Sequence, residues 1–248
     1  MTARDFTIFE TRDALVAAAA GRIAAILATV GPRGAVCLTG GSTIGPVHRA
    51  LAAPPLRDKI PVDRLDWFFG DERFVPAGHE LSNAAQARAT LLEPLGVPAE
   101  RIHAVPTAAA TPQAAADAYA RTLAAWYGAG RLDPSRPLFD LVLLGMGADG
   151  HVASLFPGQP GVEETERWVV GVDEAGHPPH VARVSLTLQA LASSRALLFI
   201  VAGSDKRPAL SRVLSGDDLP AARVRSMGPV VWLVDRAAAP ERPSKDRS

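Results

Sequence analysis

Five short apolar runs, at residues 35–39, 65–69, 139–144, 197–202 and 230–235, stand out from a chain otherwise rich in Ala, Gly and Pro. They are continuous rather than alternating, which is the pattern of strands covered on both faces by helices, as in a parallel sheet. Residues 168–172 and 181–186 are weaker strand candidates. The intervening segments have helical character. Residues 11–29 form a long Ala-rich stretch, 82–92 begin with a Ser suited to capping, and 113–126 repeat apolar residues at helical spacing. The alternation of strand and helix predicts an α/β fold: a doubly wound, mostly parallel sheet flanked by helices, of a modified Rossmann-like kind, in a single domain. We place that domain at 1–236 and expect 237–248, rich in Ala, Pro and charge, to be a disordered tail.

The unusual polar residues fall at the C-terminal ends of the predicted strands. Gly40-Gly41-Ser42-Thr43, Gly70-Asp71-Glu72-Arg73, the stretch from Gly145 to His151, and Gly203-Ser204-Asp205-Lys206 each follow an apolar run. Open parallel sheets bind ligands at that rim, near the point where strand order reverses. Segments far apart in sequence are therefore expected to converge on one pocket.

Composition narrows the function classes. The 248 residues carry 26 Lys plus Arg against 26 Asp plus Glu. That balance lacks the broad positive field on which non-specific binding to nucleic acid or an anionic membrane depends, so neither is an expected partner. A local basic pocket for one small anion is compatible with it. The single cysteine, Cys37, lies in an apolar run and reads as a small buried side chain in a reducing compartment. No stretch approaches the roughly 20 apolar residues of a membrane span, and the first ten residues lack a secretory pattern. A cytoplasmic protein is the expectation.

The motifs carry more specific chemistry. Gly40 to Thr43 precede a helix-like stretch at 45–51, so backbone N–H groups and two hydroxyls are placed to cradle a phosphate; the plain alternative is a tight turn with a Ser/Thr cap. The Gly-Lys-Ser/Thr ending of a P-loop is missing. Gly145-Met146-Gly147-Ala148-Asp149-Gly150 formally matches a dinucleotide fingerprint, but Pro157, Gly158, Pro160 and Gly161 interrupt the helix such a site requires. The other reading is a loop that holds Asp149 beside His151, an imidazole able to act as a base near neutral pH. Asp71-Glu72-Arg73 is a solvated charge cluster or, beside the other loops, supplies Arg73 as a donor to a carbonyl or phosphate oxygen and Asp71 as a substrate or water contact. Arg183, inside an apolar stretch, needs a carboxylate or an anionic ligand as partner; Lys206 adds a second cation. Metal binding has little support, because His177-Pro178-Pro179-His180 lacks Cys or acidic partners at ligand spacing. No Gly-x-Ser-x-Gly elbow is present.

Taken together these segments resemble the 6-phosphogluconolactonase family, within the wider group that includes glucosamine-6-phosphate deaminases. The likeness spans residues 6–235. It is carried by Gly40-Gly41-Ser42-Thr43, Gly70-Asp71-Glu72-Arg73 with Val75-Pro76, His79 with Ser82-Asn83, the stretch GMGADGHVASLFPG from Gly145 to Gly158, Arg183 to Leu188, and Gly203 with Lys206. Deaminases of this group carry Asn-Glu-Pro after the Asp-Gly-His loop, with the Glu serving ring opening, whereas this chain has Leu155-Phe156-Pro157. Ile44 and Gly45, standing before Pro46, are a departure from the family pattern.

The resemblance implies hydrolysis of 6-phospho-D-glucono-1,5-lactone to 6-phospho-D-gluconate, a step of the oxidative pentose phosphate pathway, with no cofactor and no metal. The alternatives are a deaminase or isomerase, or a non-catalytic sugar-phosphate sensor. On this reading His151, Asp149, Arg73 and Asp71 are catalytic. Gly40, Gly41, Ser42, Thr43, Asn83, Gly145, Gly147, Arg183 and Lys206 bind substrate, with Arg183 and Lys206, together with Ser42 and Thr43, holding the phosphate. His151 would act as general base, and Arg73 with N–H groups of Gly145 to Gly147 would stabilise the oxyanion. The partner is then a small sugar phosphate, and the protein a monomer or weak homodimer.

Overall fold

A computed structural model describes residues 5–240. In chain order its elements are β1 (Asp5–Phe9), α1 (Arg12–Ala28), β2 (Gly34–Leu38), α2 (Ile44–Leu51), β3 (Leu65–Phe69), β4 (Asp71–Arg73), α3 (Asn83–Ala87), α4 (Glu93–Leu95), α5 (Pro112–Tyr127), β5 (Leu141–Leu144), β6 (Val169–Val172), β7 (Arg183–Leu186), α6 (Leu188–Ala192), β8 (Leu197–Val201), α7 (Arg207–Ser215), α8 (Pro220–Arg223) and β9 (Val230–Asp235). Six strands form a parallel sheet in the order β1-β9-β8-β5-β2-β3. From β2 the chain moves outward to β3 and later returns to the other side of β2 as β5. The loops after β2 and β5 therefore part at the switch point of the sheet, where a crevice forms.

Each continuous apolar run divides between two cores because successive strand side chains point to opposite faces. Val36, Leu38, Leu141, Leu143, Leu198, Ile200, Val231 and Leu233 pack with Leu15, Ile23 and Leu27 of α1 and Val47 of α2. Ala35, Cys37, Val142, Leu144, Leu197, Phe199, Trp232 and Val234 face the other way, against Tyr119 and Leu123 of α5 and Leu210 of α7. Helices thus cover both faces, and the doubly wound α/β fold in one domain is what the structure contains.

The expected helices are present with their caps. Thr11, Ser82 and Thr111 each accept a backbone N–H three residues on, at 3.1 Å, at the starts of α1, α3 and α5. The 82–92 prediction covers α3 and a π-helical turn, Arg88–Leu92, that runs into α4.

Two features differ from expectation. Residues 71–73, read as a loop, form β4, and the two weaker strand candidates, now β6 and β7, join it in a separate antiparallel sheet of order β4-β7-β6 rather than the main one. Strand β1, which carries no continuous apolar run, adds an edge by pairing with β9. The tail expected at 237–248 lies outside the described residues from 241 onward; Ala238 and Ala239 are buried, and Ala238 N–H donates to Asp235 at 2.8 Å.

Candidate active site

The loops at the C-terminal rim of the main sheet enclose a cleft of ≈ 210 Å³, lined among others by Gly40 to Ile44, Asp71, Arg73, Asn83, Gly145 to Gly147, His151, Arg183 and Lys206. Every predicted site residue except Asp149 lines it, and Asp149 stands behind His151.

His151 is built by its own loop. Asp149 Oδ1 accepts from the His151 ring Nδ1 at 2.6 Å and from the His151 backbone N–H at 3.1 Å. The carboxylate can only accept, so the ring proton sits on Nδ1 and Nε2 is left as the basic atom. Burial pushes the Asp149 carboxyl up, but the ring hydrogen bond, the charge of His151 and backbone N–H groups outweigh it and hold Asp149 below its usual range. Gly147 permits this geometry. A Cβ there would lie 2.1 Å from His151 Nδ1 and 2.5 Å from Asp149 Oδ1. The Gly147 N–H donates to the His151 carbonyl at 2.9 Å, so it is committed to the loop and is not a donor for an oxyanion. Phe156 packs against the His151 ring, with centroids 4.6 Å apart.

The cationic wall comes from the small sheet. Arg73 and Arg183 are direct partners in the β4–β7 register. Neither forms an ion pair with a carboxylate among the described residues: Arg73 Nη1 donates to the Leu81 carbonyl at 2.8 Å, while Arg183 donates to the carbonyls of Val181 at 3.1 Å and Pro179 at 2.7 Å. Arg73 Nε is buried with no partner. Burial first, then the charge of Arg73, lower the Arg183 guanidinium from its ordinary range against the pull of Asp71 and Glu72. Two guanidiniums held in this way suit negative charge, whether carried by a ligand or developing during a reaction. Lys206 adds a third cation, paired with Asp205 at 2.9 Å. Its turn is set by Gly203, at φ +104, whose N–H donates to both oxygens of Asp235 at the end of β9.

The Gly40 to Thr43 loop leads directly into α2 and contains Gly41 at φ +108. A Cβ at Gly40 would meet Asn83 Oδ1 at 1.9 Å, so glycine lets the loop close on α3. Arg12, at the start of α1, donates to the Ser42 carbonyl at 2.7 Å.

Asp71 has a different character from the reading of the sequence. It is buried, with Oδ1 accepting from Asn83 at 3.1 Å and Oδ2 from the Ser154 hydroxyl at 2.7 Å. Both oxygens are thus engaged, and the contact ties β4 to the segment after His151. Ala153, in between, is held at φ 48. Glu72, given no role from sequence, is a buried carboxylate accepting from the N–H groups of Arg73, Asn83 and Ala84 and from Ser82 Oγ. It ties the start of α3 to β4. Sequence reading also passed over Ser154 and Arg12, whose partners are 83 and 30 residues away and leave no local pattern. His79 accepts from the Leu81 N–H within its own turn. Among the described residues no three His, Cys, Asp or Glu side chains gather as a metal-binding set.

Comparison with known proteins agrees with this architecture. The family described as "Glucosamine-6-phosphate isomerases/6-phosphogluconolactonase" matches residues 10–232. A 6-phosphogluconolactonase of Streptomyces coelicolor is 42% identical over 236 residues, covering 92% of this chain and 90% of the relative. One from Mycobacterium tuberculosis is 40% identical over 249 residues, covering 96% and 98%. Among solved structures, the 6-phosphogluconolactonase of Thermotoga maritima superposes with a TM-score of 0.81 at 30% identity, covering 94% of this chain and all (100%) of the other. A monomeric glucosamine-6-phosphate deaminase, at 19% identity and a TM-score of 0.79 over 94% and 98% of the two chains, shares the fold. With the match running from before α1 into β9 and taking in every loop of the cleft, the chain belongs to the glucosamine-6-phosphate isomerase/6-phosphogluconolactonase family.

Proposed function

We propose that this cleft hydrolyses 6-phospho-D-glucono-1,5-lactone to 6-phospho-D-gluconate. The observation that carries the reading is one imidazole with its Nδ1 proton fixed, sharing a small cleft with two unpaired arginines and a lysine. A six-membered lactone is an activated ester, so no covalent intermediate is needed. His151 Nε2 takes a proton from water as its oxygen attacks C1, and Asp149 orients the ring and stabilises its charged form. Arg73 stabilises the oxyanion that forms. The C1–O5 bond then breaks, and the proton on His151 returns to O5. Arg183 and Lys206, with Ser42 and Thr43 at the entry of α2, hold the 6-phosphate and position the carbonyl through remote binding energy. Asn83 belongs to the substrate-facing wall, and Asp71 fixes that wall in place.

Phe156 occupies the position at which deaminases of the group carry a glutamate, and an aromatic ring transfers no proton. The same reading has the enzyme working in the cytoplasm without a cofactor, as a monomer or weak homodimer. Among the described residues no helix is long and apolar enough to cross a membrane.

The test is a continuous acid-release assay on freshly prepared lactone, corrected for spontaneous hydrolysis and run beside glucosamine 6-phosphate. The wild type should turn over the lactone and not the amine. His151→Ala should lower kcat by about 10²–10⁴-fold with little change in KM. Normal turnover in that variant would remove His151 from the chemistry.

A further inference from the structure

A second imidazole lines the same cleft and has no role in the mechanism above. The His177 ring lies 5.6 Å, centroid to centroid, from that of His151. Its Nδ1 is 3.0 Å from the Pro178 carbonyl, an oxygen that can only accept, so the neutral ring carries its proton on Nδ1 and presents Nε2 as an acceptor. Nε2 meets no protein partner among the described residues. The loop that carries this ring is fastened from several sides. Arg183 donates to the Pro179 and Val181 carbonyls, His180 Nδ1 to the Ala175 carbonyl at 2.9 Å, and Gln159 to the Glu174 carbonyl at 3.0 Å. Gly176 lies against Phe156, the ring that also packs on His151. The two imidazoles thus share one support.

Resting on the lactonase reading, we infer that His177 selects the substrate by accepting a hydrogen bond from the hydroxyl at C2, next to the lactone carbonyl. His151 must hold its water within about 3 Å of C1, which places C1 and its immediate substituents beside His177. Of those, the carbonyl oxygen and the ring oxygen have no proton to give to a bare nitrogen. The C2 hydroxyl is the one donor bonded to an atom adjacent to C1. The cleft's fixed charges, Arg73, Arg183 and Lys206, are themselves donors, the oxygens of Asp71 are already bonded, and Asn83 Oδ1, though without a partner, is buried away from the open cleft, so an acceptor for that hydroxyl is otherwise scarce. A site that offers a hydrogen-bond partner to a substrate hydroxyl discriminates strongly against an analogue lacking it, because the partner is left unsatisfied.

The experiment compares kcat/KM for 6-phospho-D-glucono-1,5-lactone and its 2-deoxy analogue, above the ordinary imidazole range of pH, in wild type and His177→Phe. Both substrates are measured on the same preparation, so any loss of folded enzyme cancels in the ratio. The wild type should prefer the hydroxylated lactone by about 10–100-fold beyond the ratio of the two spontaneous rates, and His177→Phe should reduce that preference to within about threefold. His177→Asn, whose amide oxygen can accept, should restore part of it. A wild-type enzyme indifferent to the 2-hydroxyl, or a preference unchanged in His177→Phe, would overturn the inference. Failure of the wild type to hydrolyse either lactone would instead overturn the functional reading beneath it.

Discussion

His48 is fully buried in α2 and takes no part in the cleft. Thr90 gives its hydroxyl proton to the Gln86 carbonyl at 2.7 Å, so it accepts from His48 Nδ1 at 3.1 Å, and His48 Nε2 is left bare and without a partner. Burial first, and the charge of Arg49 second, lower this imidazole to about 4. The unfolded chain titrates near 6.5. The folded value is therefore the depressed one: the contribution to stability is complete above about 6.5 and is lost as pH falls towards about 4, because only the unfolded chain takes up the proton. Between pH 7.5 and 4.5 this group should remove about 2–3 kcal/mol of stability. Urea denaturation of wild type and His48→Leu at the two pH values checks it. The variant should lose that much less on acidification, and equal losses would show that His48 does not titrate on unfolding. Among single residues, Gly147 shows the limit of a sequence motif. Three glycines in a loop announce unusual backbone, but that this one is demanded by contact with the His151 ring is visible only with the ring in place.

Among the elements, β4 and α3 act as one unit through Glu72. Its carboxylate accepts from three backbone N–H groups and the Ser82 hydroxyl, all donors. Burial raises the Glu72 carboxyl and those four hydrogen bonds lower it, with burial the stronger. Replacing one oxygen by an NH2 group, in Glu72→Gln, would set a donor against donors and leave buried N–H groups unmatched. A loss of about 2–3 kcal/mol is expected, with a matching fall in Tm by calorimetry. Activity should fall as well, because the same carboxylate fixes the backbone of Arg73 and Asn83. A Tm within a degree or so of wild type would show that the unit has another support. An Ala-rich stretch, a Ser cap and apolar residues at helical spacing make α1, α3 and α5 legible in the sequence, and continuous apolar runs do the same for the central strands. Strand β4 was not, because a strand of three polar residues has no apolar period, and it is stable only through its pairing with β7.

Over the whole molecule, formal charge is balanced at zero, yet Arg73, Arg183 and Lys206 gather at one opening. A local field of this kind attracts a dianionic substrate and is weakened by salt, since the screening length contracts from about 10 Å at 0.1 M to about 3 Å at 1 M. KM for the phosphorylated lactone should rise severalfold over that range while kcat changes little, as steady-state kinetics in added NaCl would measure. An unphosphorylated lactone should show no such rise. A KM for the phosphorylated substrate that is insensitive to salt would separate Arg183 and Lys206 from phosphate binding.

What the sequence by itself determined is what local chemistry dictates: continuous apolar runs became two-faced strands, Thr and Ser caps opened helices, and Gly-rich or charged segments ended the strands. The order of those segments also placed the chain in its family. Only the tertiary structure decided how they meet. The reversal of strand order beside β2, the pairing of Arg73 with Arg183, the engagement of both Asp71 oxygens and the approach of His177 to His151 all join residues distant in the chain. Such contacts are set by sheet register and close packing, which no window along the sequence contains.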